Sequence, residues 1–369
     1  MRKLIFLLVC VVTTSITNAQ VVIQGRVLDN ATNLPVPNAS VYLNNTSVGA
    51  VTNLKGEFIF TATSIYTGEL IVTCVGYERI LYKLENAAAA AKSYTFKLAV
   101  KENELKEVLV LADPIRRQWL KIFMDNFLGI TEEADNSTIQ NLDAIYFTMG
   151  ENKNTIYAYA DTPLIIINKM LGYKISFDLI EFNFNQNKGS TYFAGYTRYE
   201  EMGDKKRWIK NRKLNYYGST MHFYRSLINR ELKEQGFFLF EIVKPNIKTD
   251  SIVKMTDTKM KMSNMSVAMP IEGSAILYID SITNDYSLRF PYRLMVQYDR
   301  YPHAGFYLSS KTFVRGINPY GFTSYIDLLQ DQVGLDVKGI VLSPLGLAYD
   351  GFWVYEKLAN QLPFDYSPE

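Results

Sequence analysis

Two histidines, His222 and His303, are all the imidazole this chain has, and they limit its chemistry at once. A zinc peptidase needs two histidines and a glutamate as ligands, plus a glutamate to activate water. Neither histidine opens a His-x-x-Glu motif, since Arg225 and Phe306 stand where the glutamate would fall. No Gly-x-Ser-x-Gly elbow offers an activated serine. His222, in the apolar helical pattern "MHFYR", reads as a satisfied structural histidine.

Paired carboxylates could serve glycoside hydrolysis. Asp161, Asp178 and Glu181 lie near one another in sequence, and Glu200 and Glu201 are adjacent. Acids on strands and turns are more often solvated. "KKRWIKNRK" places Lys205, Lys206, Arg207, Lys210, Arg212 and Lys213 around Trp208, a candidate anion-binding patch. Its plain alternative is a solvated surface loop. Met255, Met260, Met262, Met265 and Met269 could in principle hold a soft ion, but lysines interleave them and the segment reads as a partly apolar loop. No catalytic, metal or cofactor set is expected, and no cofactor is predicted.

The elements that must carry these residues are mostly strands. The chain has 369 residues, 48% of them hydrophobic, with 26 tyrosines and 21 phenylalanines. That supports a packed core, more than one domain and a lean toward β-structure. Residues 1–19 read as a signal peptide: Arg2 and Lys3, a nine-residue apolar run, then Thr17 and Ala19 before the cut. Nine residues cannot span a bilayer and no later run is long enough, so the mature chain is expected to lack a transmembrane helix. Loss of Arg2 and Lys3 takes the 39 cations to 37, equal to the 37 acids. A neutral, exported chain is not expected to bind nucleic acid. Cys10 would leave with the signal peptide, so Cys74, in "LIVTCVGY", is left without a disulfide partner and reads as a small buried hydrophobe.

From 20 to 100 the chain reads as short strands between turns, a small β-sandwich. In "TNLKGEFIF", Asn53 can close a turn through its side chain and Gly56 can take a positive φ. Phe58 and Phe60 then fall on one face of the next strand. This stretch resembles the carboxypeptidase regulatory-like domain, a transthyretin-like β-sandwich. The resemblance rests on Gly25 and Val27, on Pro37, Ala39 and Val41, on Thr52, Asn53, Gly56 and Phe58, and on Gly76 and Tyr77. It departs from the family at Asn53, where Asp is usual, which removes a charge from the turn. It implies an accessory domain without a catalytic group.

Residues 101–112, with "LKEVLVLA", read as a linker strand, and Ala87 to Ala91 as a low-complexity loop or turn. Residues 113–369 read as a larger antiparallel β-rich domain with a few helices. Asp113 and Pro114 open a helix whose Ile115, Trp119, Ile122, Phe123 and Phe127 recur at helical spacing, with Gly129 ending it. A second helix is predicted over residues 219–235, strands include "GFYLSSKTFVRG" and "GIVLSP", and a short closing helix ends the chain. This half resembles the poorly characterised region that accompanies the regulatory-like domain in exported proteins of gram-negative bacteria. No activity carries over from that resemblance. The whole chain therefore reads as an exported, non-catalytic protein of the periplasm or outer-membrane periphery, binding or scaffolding an envelope protein or glycan. The alternative is a hydrolase, of glycosidase or peptidase type, with an unrecognised site in the second domain.

Overall fold

In the computed structural model the described residues are 21–63, 68–84, 92–101, 113–151, 153–243, 267–280, 285–300 and 322–368, with the backbone alone of 252–255 and 258–261. The signal peptide, the alanine run, the linker strand, His303 and the strand "GFYLSSKTFVRG" lie outside them. The protein is mainly β and divides into two units, one of residues up to 101 without Asn44–Ser47, the other of Asn44–Ser47 with 102–369.

In the first unit, strands β1 (Val21–Asp29), β4 (Glu57–Ala62) and β7 (Ser93–Leu98) form one sheet in the order β4-β1-β7. Strands β2 (Ser40–Leu43), β3 (Gly49–Val51), β5 (Glu69–Thr73) and β6 (Ile80–Lys83) form the other in the order β3-β2-β5-β6. β1 and β7 run parallel, and every other pair is antiparallel. Alternation does the sorting: Phe58, Phe60 and Ala62 of β4 are buried while Ile59 and Thr61 face out. Each buried phenylalanine contributes about 1.5–3 kcal/mol of transfer free energy.

The turn before β4 is built from its own side chains. Asn53 Oδ1 accepts from the backbone N–H of Lys55 (2.8 Å) and of Glu57 (2.9 Å). Gly56 has φ +69°, and a Cβ there would lie 2.5 Å from the Val27 carbonyl oxygen. Just before, buried Thr52 ties two segments: its Oγ1 accepts from the Ala39 N–H (2.8 Å) and donates to the Val36 carbonyl (2.7 Å). Cys74 follows the end of β5 and is half-buried rather than fully buried, because the strand stops at Thr73.

In the second unit β12 (Tyr173–Asn185) is the spine of a six-stranded sheet. β13 (Ser190–Glu201) pairs along its whole length. On its other edge β11 (Leu164–Asn168) pairs with the first half and β10 (Thr155–Ala160) with the last. β8 (Ser137–Ile139) extends β11, and β9 (Ile145–Met149) extends β10. Helix α1 (Asp113–Phe127) covers one face through Trp119, Phe123 and Phe127, which meet Phe147, Phe182, Phe177 and Phe193. Ile115 is exposed, since the buried stripe begins one turn later. The short helix α2 (Glu132–Asp135) precedes β8.

Helix α3 (Lys206–Tyr216) holds the basic run, which is therefore not a loop. Helix α4 (Thr220–Ile228) is shorter than predicted: Arg230 takes φ +60° and the chain turns toward Gly236. β14 (Phe237–Val243) then enters a second sheet, in which β17 (Val267–Ile271), β14, β20 (Arg293–Tyr298), β21 (Phe322–Leu328) and β23 (Leu347–Gly351) follow in that order. The methionine-rich segment is not a plain loop, since β15 (Ile252–Met255) and β16 (Thr258–Lys261) pair as a hairpin, with Met269 in β17. β18 (Leu277–Ile279), β19 (Tyr286–Leu288) and β22 (Val333–Leu335) form a small sheet. "GIVLSP" gives a single bridge from Val341 to Leu335 instead of a strand. The closing helix is two 3-10 turns, Phe352–Tyr355 and Leu358–Asn360.

Thr52→Val keeps the shape of the side chain but strands the Ala39 N–H and deprives the Val36 carbonyl of its donor. It should destabilise the first unit by about 1–3 kcal/mol, measured as a shift in its urea unfolding midpoint with the slope unchanged.

Candidate functional site

The basic run is sorted by helical periodicity. Trp208, Arg212 and Asn215, spaced i, i+4 and i+7, are buried. Lys206 and Lys210 are exposed and Lys213 is half-buried on the same spacing, with Lys205 and Arg207 exposed at the start. The inward residues grip the turn between β11 and β12. Trp208 Nε1 donates to the Lys169 carbonyl (3.0 Å) and Asn211 Nδ2 to that of Met170 (2.8 Å). Arg212 Nε donates to Leu171 O (2.8 Å) and its Nη2 to Gly172 O (3.1 Å). Asn168 Oδ1 holds the same turn from within, accepting from the N–H groups of Met170 and Leu171. Gly172 is required: it has φ +70°, and a Cβ would come within 2.2 Å of the Trp208 ring.

Arg212 also pairs with Glu201 (3.0 Å) and lies 4.0 Å from the Tyr173 ring centroid. The Tyr173 hydroxyl is buried without a partner among the described residues, and burial holds its pKa well above the usual phenol value. So Trp208 and Arg212 of the candidate patch are structural. Lys205, Lys206, Arg207 and Lys210 remain at the surface, and none has an ion-pair partner among the described residues. Lys205 Nζ lies 4.5 Å from the Trp208 ring centroid.

His222 is pinned on both sides. Its Nδ1 accepts from the Gly218 N–H (3.1 Å), so Nε2 carries the proton and donates to Gln235 Oε1 (3.2 Å). Tyr216, Tyr217, Phe237 and Tyr298 enclose the ring. Burial lowers its pKa to about 4. The acids are not brought together as a catalytic pair. Glu200 meets Lys174 and Arg198, and Glu201 meets Arg212. Asp161 accepts from the Tyr146 hydroxyl, Glu181 accepts from Asn183, and Asp178 is buried on β12 before a bulge at Leu179/Glu181. No three of His, Cys, Asp and Glu gather as a metal set among the described residues.

Two enclosed carboxylates, those of buried Glu133 and half-buried Glu356, carry no local sequence signal. Glu133 accepts from Asn215 (3.3 Å) and Asn360 (2.9 Å), and Thr131 donates to Asn360 (2.9 Å), so residues far apart in sequence close one network. Burial pushes the Glu133 carboxyl up, against these bonds. Glu356 Oε2 accepts from the Thr220 N–H and hydroxyl at the start of α4, while its Oε1 is buried without a partner among the described residues. Burial raises it to about 7.

In the first unit Asp29 Oδ1 accepts from Ala31 N, Thr32 N and Thr32 Oγ1, which holds its carboxyl below the usual range. Burial pushes the Cys74 thiol up, away from reactivity. In a comparison of this chain with protein families, one model matches residues 23–110, a range that takes in the sandwich strands. These residues are a CarboxypepD_reg-like domain. No curated protein matches the chain. The CarboxypepD_reg-like domain is a non-catalytic β-sandwich, consistent with a binding or scaffolding role.

Arg212→Met should destabilise the second unit by about 1–3 kcal/mol, because the buried Leu171 carbonyl loses its donor while that of Gly172 keeps the Met202 N–H. Lys210→Met should stay within about 0.5 kcal/mol. Denaturant melts of both variants check the contrast. The His222 ring NMR shifts should hold their neutral values from pH 7 down to about 5. Because its folded pKa lies below the unfolded value of about 6.5, the stability His222 contributes is complete above that pH and is lost as pH falls toward 4.

Proposed function

We propose that this is an exported, non-catalytic envelope protein that works by binding, and that the outer side of α3 is where it meets an anionic group on an envelope glycan or lipid. One observation carries the reading. α3 is clamped from below by Trp208, Asn211 and Arg212, yet it leaves Lys205, Lys206, Arg207 and Lys210 exposed and without acidic partners among the described residues. A rigid row of unpaired cations attracts phosphate or carboxylate without needing to fold on binding.

Other features support it. The CarboxypepD_reg-like domain carries no catalytic group. In the second unit three of the groups a hydrolase could use are engaged: His222 by Gly218 and Gln235, Glu200 and Glu201 by cations. The first twenty residues support export by their sequence alone. Among the described residues no helix is long and apolar enough to cross a membrane, so contact with a lipid surface would run through side chains such as these.

The test is co-sedimentation of the mature protein with vesicles of phosphatidylglycerol and of phosphatidylcholine. Preferential binding to the anionic vesicles, weakened about tenfold or more by Lys206→Glu with Lys210→Glu, is the expected outcome, since each cation near such a surface is worth about 1 kcal/mol. Equal binding by the charge-reversed protein would remove α3 from the account. Turnover of a peptide or glycoside that disappears when one acid is replaced would replace the reading with a hydrolytic one.

A further inference from the structure

The sheet built on β12 has a second face, opposite α1. Phe147, Ala158 and Phe182 point into the core, so their strand neighbours point out. The registers Thr148↔Tyr157, Tyr157↔Asn183 and Asn183↔Tyr192 set these four residues in one row across β9, β10, β12 and β13. Beside the row the cross-strand pair Tyr146 and Tyr159 stacks, with centroids 5.4 Å apart and planes 21° apart. All four tyrosines are half-buried, so part of each stays open to solvent.

Two carboxylates border the rings. Tyr146 donates to Asp161 (3.3 Å), and Asn183 donates to Glu181 (2.9 Å). The hydroxyl of Tyr146 is pushed up to about 12 by burial and then by the Asp161 charge, and that of Tyr192 is pushed up by burial and then by Glu181. Asp161 and Glu181 are both exposed, and neither has a cationic partner among the described residues. Of the cations within eight residues of either acid, Lys153 and Lys188 sit in the turns at one end of these strands, Lys169 lies in the β11–β12 turn, and Lys174 pairs with Glu200. An aromatic face carries negative potential over its ring, and here that potential adds to two unneutralised carboxylates. Nothing in the packing of the core requires that combination on an outer face, where like signs raise the local energy.

We propose that this face is a docking site for a basic segment of a partner protein, whose lysine or arginine side chains lie against Tyr157 and Tyr192 and pair with Asp161 and Glu181. Charge complementarity selects the occupant: cations gain from both the rings and the carboxylates, while an acidic segment is repelled by both. The row crosses four strands, about 14 Å from the first to the last at the usual strand spacing, which is room for an extended segment of four or five residues. Asn183 stands between Tyr157 and Tyr192 and Thr148 ends the row, and both offer hydrogen bonds to its backbone.

The experiment is isothermal titration of the full mature chain with tetralysine, beside tetraglutamate and maltotetraose as comparison probes. Tetralysine should bind, tetraglutamate should not, and binding should weaken as salt rises from 50 to 300 mM. Asp161→Asn with Glu181→Gln should weaken it about tenfold or more while leaving the fold intact, both side chains being exposed. Tyr157→Ala, with its thermal midpoint measured alongside, should weaken it by a similar factor. Lys206→Glu with Lys210→Glu should leave tetralysine binding unweakened, which separates this site from the face of α3. The proposal is overturned if tetralysine does not bind, if the neutralised pair binds it as well as the parent, or if maltotetraose alone binds at these tyrosines.

Discussion

Four consecutive backbone carbonyls, Lys169 to Gly172, sit under a helix where water cannot serve them all. Buried acceptors must find donors or cost the fold a few kcal/mol together. Here one helix donates to each in order, by indole, amide and then guanidinium, and the Met202 N–H adds a second donor at Gly172. This constraint fixes α3 against the β11–β12 turn, sets which residues of the basic run face inward, and so decides which cations are left for solvent. The same guanidinium covers Tyr173 and reaches Glu201, joining the turn to the far end of β13.

The rest of the second unit follows a similar economy of polar groups. Glu133, Glu356 and His222 are held by hydrogen bonds from neutral groups rather than by opposite charges. Glu133 relies on two asparagines, His222 on a backbone N–H and a glutamine, and Glu356 on the threonine that begins α4. Neutral partners satisfy a buried group without the desolvation of a second ion. That choice also leaves charged residues at the surface, where α3 collects cations and the tyrosine face collects acids.

Much of this was legible in the residues. "TNLKGEFIF" reads directly as an Asn-closed turn with a positive-φ glycine and an alternating strand, because every contact that decides it lies within a few residues. The aromatic stripe of α1 is visible by its spacing, apart from Ile115, which falls outside the covered turn. The two histidines and their neighbours argue against a zinc site for the same local reason. The basic run shows its composition but not its shape. It reads as a loop because six cations in nine residues carry no apolar stripe beyond Trp208, whereas Arg212 acts as an inward residue through its donors.

The sequence by itself determined the sandwich, its turn chemistry and the β-rich character of the larger half, since strand alternation and turn residues are short-range signals. Tertiary structure alone decided which acids and cations are free. A carboxylate such as Glu201 or a guanidinium such as Arg212 has the same side chain whether solvated or engaged, and its partner lies on another element. The row of tyrosines was equally hidden, because it is made by register across four strands and has no period along the chain.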